Sequence, residues 1–191
     1  VSWNHNVHHH PLVLGAVAPH HRRAIDVGCG EGVLARELRA VLPDVTGVDV
    51  DAASIARARR ADPDGRVDWV HGDVHEVDLA PADLVASVAA LHHGDTATGL
   101  RRLRALVRPG GTLVVIGLAR TEPRAWPADA AGMVVHRVLR WRRGYREHSA
   151  PVRDPSETYS QVRRTAEALL PGVRYRRHPL WRYSVTWTAP A

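Results

Sequence analysis

The stretch Ala24-Ile25-Asp26-Val27-Gly28-Cys29-Gly30-Glu31-Gly32 decides the fold. A short apolar run reaches an acidic residue, three glycines follow at alternate positions, and a helix-forming segment over residues 33–42 begins at once. That order predicts strand, tight turn and helix N-terminus. Glycine is needed where the backbone turns left-handed or where a bound molecule comes too close for a Cβ, so the turn is expected to face a ligand. A dinucleotide fold would have its last glycine where Val33 stands, and no Gly-Lys-Ser/Thr follows. Asp26, just before the glycines, would repel a phosphate and attract a cationic or amino-bearing ligand.

At 191 residues the chain suits one well-buried α/β domain. It has no run of about 18 apolar residues and no charged-then-apolar leader pattern in residues 1–6. A soluble, cytoplasmic protein with no membrane partner is the expectation. Cys29 is the only cysteine, which excludes an intrachain disulfide and a Cys-based zinc site. All 26 Lys+Arg residues are Arg, 8 of them in residues 1–100 and 18 in residues 101–191, against 14 and 6 Asp+Glu. A basic second half attracts nucleic acid or acidic small molecules in principle; solvated Arg faces are the preferred account.

Six of the thirteen histidines precede Arg22. His5 and His9 are one helical turn apart, yet no Cys, Asp or Glu occurs before Asp26 to complete a metal site, and no metal is expected. Trp3, Val7 and Leu12 or Leu14 supply an apolar side, with Pro11 interrupting, which reads as a short amphipathic helix and connector over residues 1–22. As a lid, this segment makes His5, Asn6 and His9 candidate substrate contacts.

Further along, residues 44–51 form a second buried strand ending in Asp49 and Asp51, with Asp51 the cap of a helix over 52–60. Residues 66–74 are the third strand and its exit, ending Gly72-Asp73-Val74. Residues 82–88, including Ser87, are the fourth strand, and 89–94 its exit, with His92 and His93. A helix over 96–107 is expected to carry Arg101, Arg102, Arg104 and Arg108 outward. Arg108-Pro109-Gly110-Gly111 then turns into a fifth strand. From 118 to 155 the pattern loosens, with Trp126, Met133, Val134, Val138, Leu139 and Trp141 on one side of a helical insertion. A helix over 156–169, capped by Ser156, precedes two alternating runs, 173–180 and 182–188, that fit a closing antiparallel pair.

The glycine turn, the strand-end acids in order, Leu91-His92-His93 and the Arg-Pro-Gly-Gly turn resemble the motifs of class I S-adenosylmethionine-dependent methyltransferases. The resemblance covers residues 22–118 by motif and 156–189 by architecture. It implies a Rossmann-like, doubly wound α/β fold: a seven-stranded sheet, order 3-2-1-4-5-7-6, the last strand antiparallel, with helices on both faces. It divides the single domain into a lid (1–22), a cofactor-binding core (22–118), a variable acceptor-side insertion (119–155) and a closing helix and hairpin (156–191).

By the same resemblance S-adenosyl-L-methionine, leaving as S-adenosyl-L-homocysteine, is held by Asp26, Gly28, Cys29, Gly30 and Gly32, with the ribose at Asp49 and Val50. Gly72, Asp73 and Val74 take the adenine, and Ser87 completes the set. His92 and His93, with His5 or His9 from the lid, are the candidate acid–base residues. A small-molecule acceptor is favoured, because no nucleic-acid module is attached and no Asn/Asp-Pro-Pro-Tyr/Phe motif follows the fourth strand. The alternatives are a nucleic-acid methyltransferase and a cofactor-bound protein that no longer methylates, acting as a cyclase or scaffold.

Overall fold

The computed structural model describes residues 4–121 and 154–191. Its strands are β1 (Arg23–Val27), β2 (Asp44–Asp49), β3 (Asp68–His71), β4 (Ala82–Val88), β5 (Val107–Gly117), β6 (Arg174–His178) and β7 (Arg182–Thr188). They form one sheet in the order β3-β2-β1-β4-β5-β7-β6. β1 to β5 run parallel, while β7 lies antiparallel between β5 and β6. This is the expected seven-stranded, Rossmann-like arrangement.

The helices are α1 (His10–Leu14), α2 (Val33–Arg39), α3 (Ala52–Arg60), α4 (Thr96–Ala105) and α5 (Tyr159–Leu169). Strand alternation sends successive side chains to opposite faces, and two apolar cores result. Ile25, Val27, Val85, Val115 and Val185 pack against Leu100 and Leu103 of α4 and Val162 and Ala166 of α5. Ala24, Val45, Leu84, Val114 and Ile116 pack against Val13 of α1 and Leu34, Ala35 and Leu38 of α2. Helices therefore cover both faces, as parallel strands require.

Several local expectations change. Pro11 does not interrupt the first helix. It sits in its first turn, where a missing N–H costs nothing, behind a 3-10 turn over Val7–His9. The buried apolar residue there is Val13, while Leu12 is exposed. α2 ends at Arg39 and α4 at Ala105. The closing helix starts at Tyr159, not near Ser156: Thr158 caps it and exchanges side-chain bonds with Gln161, a reciprocal capping box. Asp51 does cap α3, accepting from Ala53 and Ser54. The insertion over 119–155, with its proposed apolar side from Trp126 to Trp141, lies outside the described residues apart from its edges, as does Trp3.

Candidate active site

In parallel sheets of this kind ligands meet the carboxyl ends of the strands, and the ends of β1, β2, β3 and β4 converge here. After β1 the chain turns through Gly28, Gly30 and Gly32, all with left-handed φ. The amides of Gly28 and Cys29 donate to Val48 O at 2.8 and 3.0 Å, and the Gly32 amide donates to Cys29 O at 2.9 Å. The Gly30 amide donates to Asp49 Oδ2 at 2.7 Å. With these amides turned inward, the loop is no phosphate cradle. Its outer surface is shaped by missing side chains. A methyl at Gly28 would strike the Ala90 side chain and one at Gly32 the Trp69 ring, whereas nothing lies within 4 Å of a methyl at Gly30. Gly30 is the glycine of this turn at which an added methyl would stand in open space.

Trp69 is the prop that sequence reasoning missed. Its ring packs where Cβ atoms at Gly32 and Gly47 would stand, and its Nε1 donates to Asp62 Oδ2 at 3.1 Å. Cys29 is half-buried, and burial pushes its thiol far above the ordinary range. It is thus a packing residue and not a thiolate.

Two carboxylates flank the loop. Asp26 is buried at 2% exposure, and its Oδ2 has no hydrogen-bond partner among the described residues. Burial, reinforced by the charge of Asp49, raises its pKa to about 7. Asp49 uses Oδ2 on Gly30 and Oδ1 on the Asp51 amide, at 2.9 Å, each oxygen retaining a lone pair for a donor such as a hydroxyl. Val50 beside it is 66% exposed, an apolar side chain at the crevice mouth. Its carbonyl meets His71 Nε2 at 3.1 Å.

At the end of β3 the Gly72 amide donates to Asp49 O at 3.0 Å. Asp73 is exposed, and its Oδ1 accepts from the His75 amide at 2.9 Å. Val74 packs against the core. Ser87 sits apart: it is buried inside β4 opposite Val115, one residue short of the strand end. Beyond β4, Ala89 takes a left-handed φ of 55°, a strained choice for a non-glycine residue at a site mouth.

His92 and His93 follow in a 3-10 turn, with ring centroids 4.2 Å apart. His92 has a buried Nδ1 with no hydrogen-bond partner among the described residues. Burial, then the neighbouring His93 and Arg182, lower its pKa to about 4. His93 is exposed. His9 comes from the N-terminal segment, is 4% exposed, and its Nε2 has no hydrogen-bond partner among the described residues. Burial, then the neighbouring imidazoles of His8 and His178 and the Arg182 charge, take it to about 3. Arg182 at the start of β7 is thus felt by both imidazoles. Its Nη2 donates to Asn6 Oδ1 at 2.9 Å, and its Nη1 to Leu180 O at 3.3 Å. His5 packs against Trp181 at 6.2 Å. The signal for Arg182 was its position on an alternating strand whose first four residues are buried. Among the described residues no three His, Cys, Asp or Glu side chains group as a metal site, and no helix is long and apolar enough to cross a membrane.

A seven-stranded sheet in this order, with a glycine turn after its central strand and acids at successive strand ends, defines a nucleoside-binding α/β protein. A methyltransferase-domain family model matches residues 25–115. The chain is 39% identical to an uncharacterized methyltransferase of Mycobacterium tuberculosis over 98% of both chains. It is 33% identical to a ubiquinone biosynthesis O-methyltransferase of a Bradyrhizobium species, over 62% of this chain and 47% of that one. The apo structure of the S-adenosylmethionine-dependent methyltransferase SibL superposes with a TM-score of 0.65 at 23% identity, covering 94% of this chain and 54% of the other; that likeness concerns the fold. The chain belongs to the S-adenosylmethionine-dependent methyltransferases, and S-adenosylmethionine is its cofactor.

The residues present fit that group. The unpartnered Asp26 Oδ2 suits an amino group, the open side of Gly30 leaves room for a chain, and Asp49 retains acceptor capacity for hydroxyls.

Proposed function

We propose that this enzyme methylates a small-molecule acceptor, chiefly by holding it in line with the cofactor. The bound cofactor supplies an electrophilic methyl on a sulfonium that is its own leaving group. Asp49 binds the ribose hydroxyls beside Val50, and Asp26 with the turn of Gly28, Cys29, Gly30 and Gly32 receives the methionine end. Gly72, Asp73 and Val74 receive the adenine, while Ser87 supports the strand end from within. Alignment of this kind carries up to about 7–11 kcal/mol of a barrier.

The acceptor end is assigned to His92 and His93 from the β4 exit and to His5, Asn6 and His9 from the lid. The observation that carries this reading is that His9 Nε2 and His92 Nδ1 are both buried without a partner among the described residues, with the Arg182 charge acting on both rings. With pKa values near 3 and 4 both rings are neutral at pH 7. A neutral imidazole there orients an acceptor hydroxyl by a hydrogen bond; its low basicity leaves most of the rate to proximity.

Some of the described arginines of the second half have partners within the chain, which supports a structural account of part of the basic charge. Arg104 donates to Leu169 O at 2.8 Å and lies over the Trp187 ring, Arg108 meets Asp83, Arg163 meets Glu167, and Arg177 lies over Tyr159. The deciding experiment offers methyl-labelled cofactor together with a metabolite extract, or with RNA or DNA, and follows where the label goes. Label in small molecules, reduced by His92→Ala with S-adenosylhomocysteine affinity unchanged, is expected. Label in polymer, with binding that weakens steeply with salt, would overturn the acceptor class.

A further inference from the structure

The helix α4 was expected to turn its arginines to solvent, and Arg102 departs from that. Its side chain is half-buried and crosses to the connection between β3 and β4. There its Nε donates to Val74 O at 2.6 Å and its Nη2 to Val77 O at 2.8 Å. Among the described residues, these are the two hydrogen bonds that reach residues 73–78 from another element.

Within the connection the remaining bonds converge on Asp73. The amides of Glu76 and Val77 both donate to its carbonyl at 2.9 Å, and the His75 amide donates to its Oδ1. Asp73 is exposed, and no hydrogen bond among the described residues takes its Oδ2. Val74 and Val77 pack against the core beneath, and Val77 fills the space where a Cβ at Gly72 would stand. The connection is therefore a small turn with an apolar underside and an exposed Asp73 carboxylate that has one oxygen uncommitted among the described residues.

Packing alone fixes how deep such a turn sits, because apolar contact is non-directional. Its rotation about its own ends is fixed by directional bonds. Gly72 supplies one, to Asp49, at the start; Arg102 supplies two, three residues apart, at the back. The guanidinium suits this task because Nε and Nη2 donate side by side from one rigid plane, which a single ammonium cannot imitate. The platform behind it is firm: Leu100 and Leu103 on the same helix are fully buried, and Asp95 caps its start.

We propose that Arg102 is a positioning residue for recognition of the adenine base, holding the turn so that Asp73 Oδ2 points at the exocyclic amine. The proposal rests on the assignment of Gly72, Asp73 and Val74 to adenine made above. Arg102 touches no part of the ligand in this account. Its effect is selective for the base, whereas a general structural role would weaken every ligand of the site alike.

The test compares, by calorimetry, S-adenosyl-L-homocysteine with S-inosyl-L-homocysteine, in which a ring carbonyl replaces the amine. The wild type is expected to prefer the adenosyl compound by about tenfold or more, since the analogue leaves an acceptor facing an acceptor. In Arg102→Met that ratio is expected to fall to about two, mainly through weaker adenosyl binding, with the inosyl compound little changed. Arg102→Lys, which restores one bond, is expected between the two and serves if the Met variant does not fold. A folded variant that keeps the wild-type ratio, or loses both ligands equally, overturns the role of Arg102. A wild type that does not discriminate removes the adenine assignment of Asp73, and the proposal with it.

Discussion

Asn6 and Arg182 are 176 positions apart in the chain, yet Asn6 Oδ1 accepts a hydrogen bond from Arg182 Nη2 at 2.9 Å. The first described turn of the protein is thereby fastened to its last strand, and His9 is carried with it to a place where Arg182 also influences His92. A second tie runs from His10 Nδ1 to Glu37 Oε2 of α2 at 2.8 Å.

A hydrogen bond to a charged donor is worth about 1.5–3 kcal/mol, so Asn6→Ala is expected to loosen residues 7–14 without unfolding the sheet. Hydrogen exchange at those amides should accelerate roughly tenfold or more, the factor that about 1.4 kcal/mol represents, while the β1 amides remain protected. Equal exchange in wild type and variant would mean that His10–Glu37 and Val13 hold the segment alone.

Asp26 gives a binding signature. With its pKa at about 7, the carboxyl is mostly protonated at pH 6, and a ligand ammonium favours the ionised form. Binding of S-adenosylhomocysteine at pH 6 is therefore expected to release most of one proton. Calorimetry in buffers of different ionisation enthalpy measures the number. Asp26→Asn should release none, and a wild type that also releases none does not place an ammonium at Asp26.

The glycines separate by what surrounds them. Gly30→Ala forces an L-residue into φ +53° at open space, a cost of about 1–2 kcal/mol, so the variant should fold, with a melting temperature lowered by a few degrees. If the open space at Gly30 is where the cofactor's methionine end lies, as proposed, affinity for S-adenosylhomocysteine should fall much further, because the new methyl would stand there. Gly32→Ala drives a methyl into the Trp69 ring and should lose stability first. A reversed order of melting temperatures would contradict this account of the turn.

Stability should fall in acid, and the signs can be worked out. His9 and His92 titrate at about 3 and 4 in the folded protein, against about 6.5 unfolded. Between pH 6.5 and 4 the unfolded chain binds protons that the folded chain refuses. Their contribution is thus complete above about pH 7 and declines as pH drops. Asp26 acts oppositely: raised to about 7, it holds a proton in the fold between pH 4 and 7 that the unfolded chain has released, so its contribution declines as pH rises. Two histidines outweigh one carboxyl, and the melting temperature should be lower at pH 5 than at pH 7.5. In Asp26→Asn the difference should widen; a narrower one would contradict the assignment of Asp26.

The cofactor half was legible because its signals are local. A strand, a glycine turn and a helix are neighbours in sequence, and Asp51 lies immediately before the helix it caps. What escaped was long-range or a matter of one residue. Val13, not Leu12 or Leu14, is the buried apolar residue of a five-residue helix, too short for periodicity to fix its phase. Ser156 reads as the cap, but Thr158 takes that role, because its bonds with Gln161 close a Thr-x-x-Gln box two residues further on. Arg102 looked solvent-facing because it stands among Arg101 and Arg104 in an arginine-rich helix, and sequence does not reveal that a long side chain reaches across to a neighbouring turn. Trp69 sat in plain view on β3, but its partners Gly32 and Gly47 come from two other elements.

The placement of β7 between β5 and β6 also has a consequence for synthesis. β5 contributes Leu113, Val114, Val115 and Ile116, all buried, and one edge of it is covered by β7. At roughly 5–20 residues per second, the ribosome needs several seconds to make residues 118–181 before that cover exists. Throughout this interval the nascent chain carries an apolar strand with a bare hydrogen-bonding edge, which makes β5 the segment where trigger-factor-like holdases should engage the newborn protein.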